Sequence, residues 1–232
     1  MSAAATAPRV ESPPPPLRQS PVRRRASAGV KRALDVAVAL SLLVVTAPVI
    51  AAAALAIRLT SRGPILFRQT RIGLAGEPFP LFKLRTMTVG GDESAHRAFV
   101  AAQLGGRRRA PTADGAFKLD DDPRVTPVGA VLRRFSIDEL PQLVNVLRGE
   151  MSAVGPRPSL PWEVELYTPR HRARQWVKPG LTGLWQVSGR NRLSTLDMLE
   201  LDLRYLEHRT TALDLRILAS TPAVVLRGDG AR

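Results

Sequence analysis

The chain has 232 residues, with 34 Lys and Arg against 20 Asp and Glu and a formal charge of +14. That length allows one domain of ordinary size plus a membrane element, and the charge calls for an anionic partner: nucleic acid, anionic lipid or a phosphorylated small molecule. The absence of cysteine excludes disulfides and thiolate metal sites, and 5% aromatic content is thin for reading single strands by base stacking, so no nucleic-acid partner is expected.

Residues 1–28 contain the run Pro13 to Pro16 among Ser, Ala and Arg, a composition that cannot bury a core and reads as a disordered basic tail. Residues 29–60 form the membrane element. Val36 to Ile57 is uncharged and apolar over about 22 residues, enough to cross a hydrocarbon core. Its flanks oppose crossing. Arg23, Arg24, Arg25, Lys31 and Arg32 precede it and Arg58, Arg62, Arg68 and Arg71 follow; basic flanks favour the cytoplasmic side at both ends. Pro48 removes a backbone hydrogen bond inside the helix. The reading is a re-entrant helix broken at Pro48, with an ordinary spanning helix as its rival. A signal peptide would be shorter and nearer the N-terminus. Arginines beside anionic inner-leaflet lipids add about 1 kcal/mol of attraction each.

Residues 61–228 are then a cytosolic domain. Ile65 to Met87 alternates apolar and polar residues around Gly73, Ala75 and Gly76, the pattern of a short β-hairpin. Its end places Lys83 and Arg85 on one strand face and Phe82 and Leu84 on the other. A loose, flexible loop is expected over about 90–117, where Gly90-Gly91, Gly105-Gly106 and Arg107-Arg108-Arg109 fall. Leu140, Leu143, Val144 and Leu147 form an amphipathic helical stripe that ends at Gly149. Its start is open: Ser136 and Glu139 have capping-box spacing, whereas a start at Glu139 would seat Pro141 in the first turn. Leu196 to Thr210 and Ala212 to Leu226 read as two more helices, the second containing Pro222 and able to pack in the core or lie on the bilayer surface. The fold class expected is α+β and mostly α-helical.

Asp138 and Glu139 stand side by side just after Arg133 and Arg134. A carboxylate of ordinary pKa is ionised at neutral pH and needs no base to act as a nucleophile. Its approach to a phosphate needs cations, which arginines and a divalent ion supply. Mg²⁺ favours one or two carboxylates plus substrate phosphates, a part suited to Glu139. From spacing alone, capping of a helix N-terminus explains the same pair. Two segments shift the balance. Met151 to Pro158 holds Arg157 between prolines, and Lys178 to Asn191 is punctuated by glycines and ends in Arg190 and Asn191. Amides exposed at those glycines, with Lys178 and Arg190, suit a phosphate or nucleotide.

These segments, together with Lys31-Arg32 and Asp35, Phe82 to Met87, Asp121 to Thr126 and Leu132 to Leu143, resemble in order the bacterial sugar transferases, the monotopic phosphoglycosyl transferases. The resemblance implies transfer of a sugar 1-phosphate from a UDP-sugar to a polyprenyl phosphate with release of UMP, the initiating step of exopolysaccharide or O-antigen assembly at the bacterial cytoplasmic membrane. It implies Asp138 as nucleophile, Glu139 at a Mg²⁺ site, and Arg133 and Arg157 in phosphate and sugar-nucleotide binding. Lys83, Arg85, Lys178, Gln186, Arg190 and Asn191 complete the expected substrate-binding set. The Gly183 to Arg190 wording is similar to relatives that use glucose or galactose 1-phosphate. The family's helix-breaking Ser-Pro is here Ala47-Pro48, with Thr46 placed to bond a carbonyl one turn back. A non-catalytic polybasic membrane adaptor and a lipid diphosphate phosphatase are the competing readings; oligomeric state is not legible.

Overall fold

The computed structural model describes residues 21–88, 94–104 and 124–227. It opens with one long helix, α1 (Pro21–Thr60). The helix starts earlier than the boundary expected near residue 28 and continues through Pro48, so the break expected there is not a gap in the helix. A single interior proline deletes one hydrogen bond, to the carbonyl of Val44, and that loss alone does not end an alanine-, leucine- and valine-rich helix. The Thr46 hydroxyl donates to the Leu42 carbonyl at 2.6 Å, the back-bond expected of it. Ala28–Thr60 is long and apolar enough to cross a membrane.

Both halves of α1 meet the rest of the protein. Before the apolar run, Arg32 donates to the carbonyls of Val146 (2.6 Å) and Leu147 (2.8 Å), and Asp35 accepts from Ser152 Oγ and the Ala153 N–H, each at 3.0 Å. Lys31 pairs with Asp35 at 3.0 Å and with Asp214 at 2.9 Å. Ala39 joins a cluster with Phe79, Leu81, Leu143, Val146 and Met151. After Pro48, Ala53 and Ile57 pack with Leu84 and Leu132. Between these anchors Leu40, Leu42, Val44, Val45 and Val49 are exposed.

The hairpin is as expected: β1 (Leu66–Ile72) and β2 (Pro78–Leu84) pair antiparallel with Leu66 opposite Leu84 and Ile72 opposite Pro78. At the end of the strand Leu84 and Arg85 are both buried. Within the expected loop lies α2 (Ser94–Leu104), a correction. Val100 and Gln103 are buried, Leu104 packs against Ile72, Val164, Tyr167 and Leu199, and Gln103 accepts from the Thr195 N–H at 2.8 Å. Docking on a distant helix, which no local pattern announces, organises this segment. The expected tail up to residue 20 and the Arg107–Arg109 run lie outside the described residues.

Helix α3 (Pro127–Arg134) begins at Thr126, whose hydroxyl caps the Gly129 N–H at 2.9 Å. A 3-10 turn over Ile137–Glu139 and then α4 (Gln142–Arg148) follow. Neither expected helix start holds: Ser136 is left-handed (φ 54°) and caps nothing, and Pro141 precedes α4. The two functional-looking loops contain strands β3 (Ser152–Val154) and β4 (Gly180–Thr182), which pair in parallel, Ser152 with Gly180 and Val154 with Thr182. Between them run α5 (Pro161–Glu165) and α6 (Pro169–Arg172). After β4 come α7 (Leu184–Ser188), α8 (Thr195–His208) and α9 (Thr211–Arg227). The last two match the expected helices. Leu199 and Leu203 of α8 are buried, and Ile217 of α9 packs with Val154 and Tyr205 while Leu215 and Leu226 stay exposed.

Candidate active site

The site grows from three local decisions. Gly129 lets α3 lie against the chain at Thr86: a Cβ there would sit 2.1 Å from the Thr86 carbonyl oxygen. The α3 helix thereby packs Leu132 against Leu84 at the end of β2, and Arg133 is the next residue. Asn145, fully buried in α4, accepts from the Phe82 N–H at 3.2 Å and donates to the Pro80 carbonyl at 2.8 Å. That amide fixes β2, and with it Lys83, against the segment that carries the acids. Finally, Ser136 adopts a conformation unfavourable for any residue with a side chain, and its hydroxyl accepts from Arg190 Nη2 at 2.7 Å. Arg190 is itself left-handed, with φ 48°. Two strained residues from distant parts of the chain thus hold each other at the mouth of the 3-10 turn.

In that turn Lys83 Nζ donates to Glu139 Oε1 at 2.7 Å and lies 3.9 Å from Asp138 Oδ2. Asp138 is buried, 7% exposed. Burial, reinforced by the neighbouring Glu139 charge, pushes its carboxyl up to about 6, against the downward pull of Lys83 and Arg133. Glu139 goes the other way. Burial would raise its carboxyl, but Lys83, by charge and by hydrogen bond, and then Arg157 and Arg190 hold it below the usual glutamate value. At neutral pH both acids are therefore ionised in a field of four cations, with Asp138 the less solvated and more basic of the two.

The Glu139 side chain is 36% exposed, and its Oε2 makes no hydrogen bond with the described residues. No group of three or more His, Cys, Asp or Glu among the described residues could cage a metal ion. A hard cation that used the free Glu139 oxygen would complete its shell with substrate oxygens and water, the usual mode of Mg²⁺.

The other expected site residues divide. Arg133, Arg157 and Arg190 act electrostatically on this acid pair. Arg157 is exposed. Arg85 stands apart: its guanidinium donates to the carbonyls of Pro64 (2.6 Å) and Ser61 (2.9 Å) and to Ser61 Oγ (2.8 Å), clasping the end of α1. Lys178 lies beyond the far end of α4, where a Cβ on Gly149 would be 3.4 Å from its ammonium nitrogen. Gln186 donates to the Leu181 carbonyl at 3.3 Å, inside the corner between β4 and α7. Asn191 follows Arg190 in a 3-10 turn; its side chain lies outside the described residues. Of the glycine amides in the Lys178 to Asn191 loop, those of Gly180 and Gly189 are occupied, the latter by the Trp185 carbonyl. The Gly155 N–H donates to the Thr182 carbonyl (3.0 Å) and the Gly180 N–H to that of Pro156 (2.8 Å). A Cβ on Gly180 would stand 2.1 Å from the Gly155 nitrogen, and one on Gly183 2.4 Å from the Gly155 oxygen. These glycines serve backbone contact between two chain segments.

Sequence reasoning missed Ser136 as the partner of Arg190, and Arg71 and Arg174 behind Arg157. No local signal marks them, since each acts on a residue far away in sequence.

A charged acid pair with one buried, basic carboxylate and four cations around it has the chemistry to meet phosphate groups, and the chain also carries a helix long and apolar enough to cross a membrane. A sequence model of the bacterial sugar transferase family matches residues 26–228, and the chain belongs to that family. It is 43% identical over 209 residues to the UDP-glucose:undecaprenyl-phosphate glucose-1-phosphate transferase of Caulobacter vibrioides, covering 87% of this chain and 71% of that one. It is 41% identical over 197 residues to the exopolysaccharide production protein ExoY of Sinorhizobium fredii (84% and 85% covered). It is 38% identical over 214 residues to the undecaprenyl-phosphate galactose phosphotransferase of Salmonella typhimurium, where it spans 92% of this chain and 44% of the relative. The galactosyl transferase CpsE of Streptococcus agalactiae is likewise much longer, with 36% of its length matched.

Proposed function

We propose that this protein transfers a sugar 1-phosphate from a UDP-sugar to a polyprenyl phosphate, of undecaprenyl type, through a covalent aspartyl-phosphosugar. The observation that carries the reading is the asymmetry of the acid pair: Asp138 is buried and raised to about 6, while Glu139 is held ionised by Lys83. A desolvated carboxylate that is still ionised at neutral pH is a competent nucleophile. In the first half-reaction an Asp138 carboxylate oxygen bonds to the sugar-linked phosphorus as the bond to the UMP oxygen breaks. In the second, a lipid phosphate oxygen bonds to the same phosphorus and the aspartyl bond breaks, which returns Asp138 to its starting state. Arg133, Arg157 and Arg190 offset the anionic charge on the transferred group, and Lys83 keeps Glu139 ionised beside it. Mg²⁺, when bound at Glu139, would neutralise diphosphate oxygens. The donor we favour is UDP-glucose or UDP-galactose, in line with the names of the Caulobacter and Salmonella relatives.

The same reading places the protein at the bacterial inner membrane with its catalytic domain in the cytosol. Both ends of the apolar stretch of α1 pack on one folded body, Ala39 on the α4 side and Ala53 with Ile57 on the α3 side. That arrangement supports entry and exit at the same membrane face, with the exposed Leu40 to Val49 surface in lipid. Incubation with a UDP-sugar alone should yield a covalent sugar-phosphate adduct by mass spectrometry, absent in Asp138→Asn. Retention of transfer at near wild-type rate in that variant would sink the mechanism. UMP release that depends on both UDP-sugar and Mg²⁺ separates this activity from a polybasic adaptor and from a lipid diphosphate phosphatase.

A further inference from the structure

Four consecutive carbonyls, Pro156 to Ser159, each accept a hydrogen bond from a different residue. The Gly180 N–H donates to Pro156 O at 2.8 Å and the Ile72 N–H to Ser159 O at 2.9 Å. The two between them are held by buried arginine side chains: Arg174 Nη2 on Arg157 O at 2.9 Å, and Arg71 Nη1 on Pro158 O at 3.1 Å. Arg174 Nη1 adds the Ser159 hydroxyl at 3.2 Å and the Tyr167 hydroxyl at 2.9 Å. Prolines at 156 and 158 lock φ on either side of Arg157. The backbone of this segment is over-determined. The Arg157 guanidinium, by contrast, is exposed and makes no hydrogen bond or ion pair with any described residue.

The arginines that hold the segment are costly to bury. Arg174 is 7% exposed, paired with Asp202 through Nε at 2.9 Å and Nη2 at 2.6 Å. Arg71 is 6% exposed and, among the described residues, its guanidinium bonds Pro158 and Gln69. Buried Arg71 Nε and Asp202 Oδ1 have no hydrogen-bond partner among the described residues. A buried ion pair with unsatisfied atoms is a poor source of stability compared with apolar packing. What a guanidinium does supply is a rigid fork of donors that fixes several acceptors at set angles. Here those donors converge on Arg157 and its two successors.

We propose that the buried Arg174–Asp202 pair, with Arg71, is a positioning device that fixes the backbone at Arg157 so that its free guanidinium meets the phosphate groups of the substrate. This rests on the assignment of Arg157 to phosphate binding made above. Asp202 acts by neutralising and orienting Arg174; Arg174 and Arg71 act through the carbonyls. None of the three is a catalytic residue.

The test is a double-mutant cycle on the full-length protein with a UDP-sugar and polyprenyl phosphate, reading UMP release. Arg174→Lys keeps the charge and loses the fork, and should lower kcat about tenfold or more with KM changed less, since small misplacement of a positioning group is costly. In an Arg157→Ala background the same substitution should cost less than about twofold, because the group it positions is gone. Equal fold losses in both backgrounds would overturn the proposal, as would an Arg157→Ala enzyme with wild-type turnover. If Arg174→Lys does not fold, the uncharged pair Arg174→Met with Asp202→Leu carries the same cycle. Amide exchange reads the clamp without activity: the Ile72 and Gly180 amides, whose acceptors are Ser159 and Pro156, should exchange at least about tenfold faster in Arg174→Lys. Unchanged exchange refutes the clamp. A wild-type protein that releases no UMP refutes the transferase reading instead, and exchange then decides the clamp alone.

Discussion

Arg133 to Glu139 and Lys178 to Asn191 look equally functional in the sequence, and the fold uses them in opposite ways. The first segment directs charge at one point: Asp138 and Glu139 meet Lys83, and Arg133 acts on Asp138. The second directs its backbone inward. Gly180 and Gly183 admit Gly155 at distances no Cβ permits, Gln186 bonds its own segment, and Lys178 sits by Gly149 at the far end of α4. Among the described side chains, Arg190 is the one that hydrogen-bonds from the second segment to the first, through Ser136. Glycines therefore report close approach of backbone, and whether a ligand or another strand makes that approach is decided by what fills the space.

Asp138→Asn should lower transfer by about a thousandfold or more, measured as UMP release, because a nucleophile acts as an all-or-none part of its site. Gly180→Ala should also abolish transfer, but by unfolding: a Cβ 2.1 Å from the Gly155 nitrogen forces β3 and β4 apart, at about 3 kcal/mol or more, visible as a large fall in Tm. A Gly180→Ala protein that melts like wild type yet fails to bind nucleotide would return that glycine to the site.

Asp138→Asn should at the same time stabilise the metal-free protein. The folded value of about 6 lies above the ordinary 3.8, so ionisation is penalised in the folded state. That penalty is absent below about pH 4, grows between about 4 and 6, and is complete above. The Asn variant should gain about 1–3 kcal/mol at pH 7.5, and the gain should fade by pH 4; thermal melts at both values check it. A variant less stable than wild type at neutral pH would mean the charge is better compensated than burial implies.

Lys83→Met should cost about 10- to 100-fold in kcat/KM through Glu139, which would lose its hydrogen-bonded cation. Lys178→Ala sharpens the contrast from the other side. It should leave turnover within about threefold and lower stability by only about 0.3–1 kcal/mol, the worth of a cation near a helix C-terminus. A loss comparable with that of Lys83→Met would put Lys178 back among the substrate-facing cations.

What was readable along the chain was what depends on near neighbours. The hairpin follows from two-residue alternation, α8 from helical spacing, α9 from an apolar stretch with sparse charge, α1 from an uncharged run, and the adjacency of Asp138 and Glu139 from the chain itself. α2 was not readable, because its order comes from docking on α8 through Gln103 and Thr195, 92 residues apart. Ser136 misled for a related reason. Its spacing to Glu139 fits a cap, but a partner 54 residues away holds it left-handed.

The sequence alone determined the groups available: an adjacent acid pair, an excess of arginine, and an uncharged apolar segment. Tertiary structure decided which cations serve the acids and which serve the framework. Lys83 reaches Glu139 across 56 residues, whereas Arg85, two positions along, is spent on the end of α1. Side-chain charge is a local property of the chain. The desolvation and pairing that turn it into a function exist only once distant segments are packed together.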